Sequence, residues 1–86
     1  MQIETVWNKI RLHEGETFYK IRGGAYTYTV CNDFLVVNGI KGARITKNTI
    51  AKALHVINPT PRKIELAGCW GPSYVYGIIT DKRITG

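Results

Sequence analysis

The sequence predicts an α+β fold: a short N-terminal helix, an antiparallel sheet of three or four strands, and two C-terminal helices packed against it. Three observations carry the prediction. Apolar residues recur at helical spacing in "IETVWNKI", a run of alternating side chains is interrupted by a glycine pair in "ETFYKIRGGAYTYTVC", and helical spacing returns after Thr46. With 86 residues the chain is sized for one domain over residues 1–86. A domain this small buries only about 60 to 65 % of its unfolded surface, so a homodimer or another stable partner would help a thin core. Hydrophobic residues make up 44 % and charged residues 21 %, which excludes a wholly disordered chain.

In the first element Ile3, Val6, Trp7 and Ile10 share one helical face, and the helix ends before Gly15. Trp7 reads as its packing anchor. A helix this short does not stand alone and must lie against the rest of the fold. "ETFYKIR" then reads as a strand, "GG" as a turn and "AYTYTVC" as a second strand. Alternate side chains point to opposite faces. Val30 belongs inside rather than Thr27 or Thr29, which places Tyr26, Tyr28 and Val30 on the core side together with Tyr19 and Ile21. Tyrosine joins an apolar ring to a wet hydroxyl, so ligand stacking is the alternative role for these rings. Lys20 and Arg22 fall on the solvent face beside the turn.

"NDFLVVNG" supplies a turn, a third strand over Phe34 to Val37, and a second turn at Asn38 and Gly39. "IKGARIT" carries a brief fourth strand around Ala43 to Ile45, with Lys41, Gly42 and Arg44 forming a small basic loop. Thr46 can cap the next helix, and Ile45 with Ile50 makes a hydrophobic staple. Ile50, Ala53, Leu54 and Ile57 form its apolar stripe, flanked by Lys47 and Lys52. Pro59 and Pro61 end it. "IEL" is short enough to be only an edge strand. Residues 73–81 read as helix or as strand, since β-branched and aromatic residues suit both. The helix is favoured because Tyr74 meets Ile78 and Val75 meets Ile79 at four-residue spacing, behind the opening Gly71-Pro72. Trp70 would pack near the entrance of that helix, Gly77 would let another backbone approach closely, and Lys82 and Arg83 would suit its C-terminal end.

The stretches "GETFYKIRGGAYTYTV" and "GPSYVYGIITDKRI" together resemble small, functionally unassigned proteins of Gram-positive bacteria and their mobile elements. The resemblance implies a bacterial or phage accessory protein and carries no active site across.

Charge is where the sequence says most about function. Twelve Lys and Arg stand against six Asp and Glu, a formal net charge of +6. Between Asp33 and Glu65 there is no acid, while Lys41, Arg44, Lys47, Lys52, Arg62 and Lys63 all occur there. The excess therefore belongs to one segment, which forms an anion-facing surface if its side chains converge. The start of the Thr46 helix adds N–H donors near Lys47, Asn48 and Thr49. This predicts a nucleic-acid-binding protein, for DNA or RNA, that contacts phosphate around residues 41–52 through Lys41, Arg44, Lys47 and Lys52, with Lys20 and Arg22 extending the contact. The rival reading is a protein-interaction module, such as a mobile-element inhibitor or adaptor, whose basic surface meets an acidic host protein. Trp7, Trp70 or Tyr76 would anchor that contact.

Nothing in the spacing predicts an enzyme, a cofactor or a metal. Glu14, Glu16, Asp33 and Asp81 form no recognisable acid–base pair, and Cys31 with His13 or His55 lacks a third group. There is no P-loop and no GxGxxG pattern, and two Cys with two His at long gaps do not resemble a zinc motif. Cys31 and Cys69 read as buried small hydrophobes, with a disulfide between them the alternative. The N-terminus lacks the apolar core of a signal peptide, and no window approaches the roughly 20 apolar residues of a membrane span. The expectation is a cytoplasmic protein with no membrane partner.

Overall fold

A computed structural model describes residues 2–86, in which one helix is followed by five short strands and then by four short helices. Helix α1, Ile3–Leu12, buries Val6, Trp7 and Ile10, the face that the spacing predicts. It is pinned over the sheet by two donors to one carbonyl. Trp7 Nε1 lies 3.2 Å and the Arg11 guanidinium 3.1 Å from the backbone oxygen of Asn32.

Strands β1 (Phe18–Tyr19) and β2 (Ala25–Tyr26) form a small antiparallel hairpin, while β3 (Tyr28–Cys31), β4 (Phe34–Val37) and β5 (Arg44–Thr46) form a separate meander in the order β3-β4-β5. The run "AYTYTVC", expected as one strand, is thus shared between two sheets. It changes partner at Thr27, whose carbonyl accepts from the Asn38 N–H at 3.0 Å and whose hydroxyl accepts from Asn38 Nδ2 at 2.9 Å.

The hairpin corrects the predicted face of β1. A two-residue Gly23-Gly24 turn would set Ile21 opposite Tyr26 and Tyr19 opposite Tyr28. Instead the loop is Ile21–Gly23: the Gly23 N–H donates to Lys20 O at 2.8 Å, the Lys20 N–H to Gly24 O at 2.9 Å, and Gly23 takes φ +90°. This is the three-residue hairpin that ends on a left-handed glycine. Phe18 therefore pairs with Tyr26, and Tyr19 with Ala25. Tyr26 meets a residue three places earlier than Ile21, and an odd slip exchanges the two faces of the strand. Phe18 is fully buried, whereas Tyr19 and Ile21 are 58 % and 53 % exposed.

Tyr26 and Tyr28 are core residues, as predicted. The Tyr28 hydroxyl donates to Ile10 O and the Tyr26 hydroxyl to Tyr74 O, both at 2.6 Å. Burial pushes both phenol pKa values well above the usual range. Tyr28, Leu35, Val37 and Ile45 give the meander its core face, against Trp7, Ile10, Ile50 and Ile78 from the helices. The opposite face carries Thr29, Val36 and Arg44 in one cross-strand row and Cys31, Phe34 and Thr46 in the next. The outer edge of β3 is covered by the α1–β1 connection: the Gly15 N–H donates to Tyr28 O at 3.0 Å and the Val30 N–H to Glu14 Oε1 at 2.6 Å.

Four helices, not two, follow the sheet. Helix α2, Lys47–Leu54, starts where predicted, with the Thr46 hydroxyl accepting from the Thr49 N–H and with Ile45 and Ile50 both buried. It stops at Leu54, so Ile57 lies beyond the stripe and is 81 % exposed. The stretch expected as an edge strand is helix α3, Pro61–Leu66, with Thr60 as N-cap and proline in the first turn. Helix α4, Pro72–Ile79, buries Val75, Ile78 and Ile79. The close approach expected at Gly77 is made by the hairpin, since a Cβ there would lie 2.5 Å from Tyr19 O and from Tyr26 Oη. A last turn, α5, Lys82–Thr85, begins at the Asp81 cap. Arg83 does not attend the end of α4. It lies 3.9 Å over the Phe18 ring and reaches Asp81, Glu16 and the Thr17 carbonyl. Among the described residues, no helix is long and apolar enough to cross a membrane.

Candidate nucleic-acid interface

Alternation along β5 turns Arg44 onto the outer sheet face, diagonal to Phe34 on β4. The guanidinium lies 4.2 Å from the centre of that ring, a stacked cation–π contact. Two residues on, α2 begins, and its first residue is Lys47. The Lys47 backbone N–H donates to Asp33 O at 2.8 Å, and its ammonium pairs with Glu4 Oε1 at 2.7 Å. Of the three N–H groups expected at this helix start, Lys47's is taken by Asp33 and Thr49's by the Thr46 cap, which leaves Asn48's. Asp33, Phe34, Arg44, Thr46, Lys47 and Asn48 together line a groove of about 380 Å3.

Lys20 and Arg22 belong to a different groove, of about 510 Å3, which they line with Ile21, Pro61 and Ser73. Lys41 sits in the turn before β5 and Lys52 further along α2, and neither lines either groove. The six predicted phosphate contacts therefore separate into Arg44 with Lys47, Lys20 with Arg22, and two outlying lysines. Lys63, from the same acid-free segment, turns back to the Ile57 and Asn58 carbonyls at 3.4 and 3.3 Å. The charge run described sequence neighbours, and the fold places an acid, Glu4 of α1, beside one of them.

Among the candidate anchors, Trp7 is 1 % exposed and fully committed to the core. Tyr76 is half-buried against the core, and Trp70 is 51 % exposed just before α4. Phe34 does not stand out in the sequence as a site residue. The alternation of β4 and β5 would place it with Arg44, but the register between those strands is needed to show that they meet.

Cys31 is exposed and Cys69 buried, both as free thiols, so the expectation of two buried cysteines holds for Cys69 alone. Burial pushes the Cys69 thiol pKa up. The hydrogen bond from Arg83 holds the Asp81 carboxyl below its ordinary range, and hydrogen bonds from His13 and then Arg83 do the same for Glu16. Among the described residues, no three His, Cys, Asp or Glu side chains gather as a metal site would require. Comparison with protein-family models, curated proteins and solved structures found no match to this chain.

Proposed function

We propose that this is a small basic nucleic-acid-binding protein that meets the phosphate backbone at the Arg44–Lys47 groove. The observation that carries the reading is the stacking of Arg44 on Phe34 beside the start of α2. Stacking holds a guanidinium in place while its in-plane N–H donors stay available, the geometry that suits a phosphate oxygen pair. The Asn48 N–H and the positive end of α2 favour the same anion. The Lys47–Glu4 pair is an obstacle of modest size. Glu4 is largely exposed, and a surface pair of this kind contributes about 0 to 1 kcal/mol, so little opposes its exchange for a phosphate. Lys41 and Lys52, in the turn and helix that flank the groove in sequence, would lengthen the contact to further phosphates. Such contacts give affinity without base preference, for DNA and RNA alike.

The test is fluorescence anisotropy with labelled single- and double-stranded oligonucleotides at two salt concentrations. Reversing Lys41 and Arg44 to glutamate should weaken binding about tenfold or more and lower the salt slope by about 0.7 to 0.9 for each phosphate that is no longer neutralised. Reversing Lys9 and Lys82 removes the same net charge and should cost far less. Equal losses from the two pairs would reject the groove.

A protein-interaction module is the second reading, favoured by Trp70, a large aromatic side chain half exposed in a small protein. Recovery of the tagged protein from its native host, with and without nuclease, separates the readings. A one-to-one protein complex that resists nuclease and is lost with Trp70→Ala supports the second.

A further inference from the structure

The hairpin tip carries a feature that folding does not account for. In a three-residue loop only the left-handed position, here Gly23, is restricted to a special residue type. Position 21 is free to be polar, yet it is isoleucine and 53 % exposed. Ile21 lines the larger groove with Pro61, while Lys20 and Arg22 stand on either side of it in the chain and line the same space. Ser73, at the start of α4, adds a hydroxyl. No acidic side chain lines this groove, and the two residues that follow Pro61 are Arg62 and Lys63.

Lys20 is also held in position. Its side chain crosses Gly24, where a Cβ would come within 2.6 Å of Lys20 Cε, and its ammonium lies 5.4 Å from the centre of the Tyr74 ring. Arg22 makes no side-chain hydrogen bond or ion pair among the described residues and is exposed at the tip. The groove is thus cationic along one wall and apolar at Ile21 and Pro61. Its volume falls within the range of about 300 to 1,000 Å3 that takes a drug-sized ligand, enough for a few residues of peptide.

We propose that this groove docks an extended acidic peptide segment of a partner protein, with one aliphatic or aromatic side chain seated on Ile21 and Pro61 and flanking carboxylates on Lys20 and Arg22. Charge complementarity selects an anion, and the apolar pair selects among anions. A phosphate backbone would satisfy the cations and leave Ile21 and Pro61 without a match, whereas an acidic peptide with an apolar anchor answers both. The proposal is independent of the nucleic-acid reading, because neither Arg44 nor Lys47 contributes to it.

The experiment titrates the isotope-labelled full chain with two synthetic peptides, a central phenylalanine flanked on each side by two aspartates and the same peptide with serine at the centre, and with a single-stranded oligothymidylate. Binding of the phenylalanine peptide should shift the amide signals of Ile21, Arg22, Arg62 and Ser73. It should weaken about tenfold with serine at the centre, and by a similar factor on Arg22→Glu. Ile21→Ser should weaken the phenylalanine peptide and leave the serine peptide unchanged. Gly24→Ala displaces only the flexible end of Lys20, so it should lower affinity while the melting temperature stays near wild type. Equal affinity for the two peptides, shifts elsewhere on the protein, or no saturable binding at millimolar peptide would overturn the proposal. Preferential occupation of the groove by oligothymidylate, with no effect of Ile21→Ser, would overturn it too and assign the groove to phosphate.

Discussion

Gly77 lies directly beneath Tyr26: a Cβ at position 77 would stand 2.5 Å from the Tyr26 hydroxyl and equally close to the Tyr19 carbonyl. Helix α4 can rest on the β1–β2 hairpin only because that side chain is missing. Alanine is the better helix former by about 1 kcal/mol, but a methyl group forced against a backbone carbonyl costs about 1 to 3 kcal/mol. Gly77→Ala should therefore destabilise the protein by up to about 2 kcal/mol in urea unfolding. A more stable variant would mean that the hairpin moves away freely and that this contact does not fix the packing.

Tyr28 tests the core from the other side. Its ring is fully buried and its hydroxyl donates to Ile10 O at 2.6 Å, linking β3 to the last turn of α1. Tyr28→Phe keeps the ring and strands the carbonyl, a loss of about 1 to 3 kcal/mol. Tyr28→Ala removes the ring as well and should cost about 3 to 5 kcal/mol. Both should leave nucleic-acid affinity unchanged wherever the variant is folded. Loss of binding in a folded Tyr28→Phe would place the hydroxyl at the ligand instead.

Two helix caps allow a paired measurement. The hydroxyls of Thr46 and Thr60 accept from the Thr49 and Lys63 N–H groups at 3.1 and 3.2 Å. Each alanine replacement should cost about 1 kcal/mol by denaturant midpoint, and serine at either position should recover most of it. Additivity in the double variant would show that α2 and α3 are stabilised independently.

How far the fold is legible depends on whether a signal is local. Thr46 with the Ile45–Ile50 staple marks a helix start within six residues, and α2 begins there. Phe34 to Val37 sits between two turns, and β4 has those bounds. The face of β1 is not local, because it depends on whether the loop closes over two residues or three, and Gly23-Gly24 admits both. Helices α3 and α5 carry few apolar residues, Ile64 and Ile84 being their buried positions, so they have no periodicity to read. Their caps, Thr60 before Pro61 and Asp81 before Lys82, are the available signals. For the candidate site, the charge run marks Arg44 and Lys47 but cannot show that Glu4 reaches Lys47 from 43 residues away.

Arg83 gives the protein an acid-sensitive clamp. Its hydrogen bonds to Glu16 and the Thr17 carbonyl hold the C-terminal turn to the α1–β1 connection, while Asp81 fixes the guanidinium from within the turn and the guanidinium covers Phe18. Both carboxyl pKa values are lowered in the folded state, Asp81 chiefly by Arg83 and Glu16 by His13 and then Arg83, from ordinary values of 3.8 and 4.5. The unfolded chain then holds more protons in this range, so stability rises with pH. The contribution is complete above the ordinary values and disappears as pH falls through the lowered ones. In Arg83→Met a side chain still covers Phe18, but the charge-assisted bonds are gone. Urea midpoints measured from roughly pH 7 to pH 2 should show wild type ahead of the variant at neutral pH and the gap closing below about pH 4. A gap that stays constant across that range would show that Arg83 acts through its packing on Phe18 and its bond to the Thr17 carbonyl, and that its carboxylate partners contribute nothing.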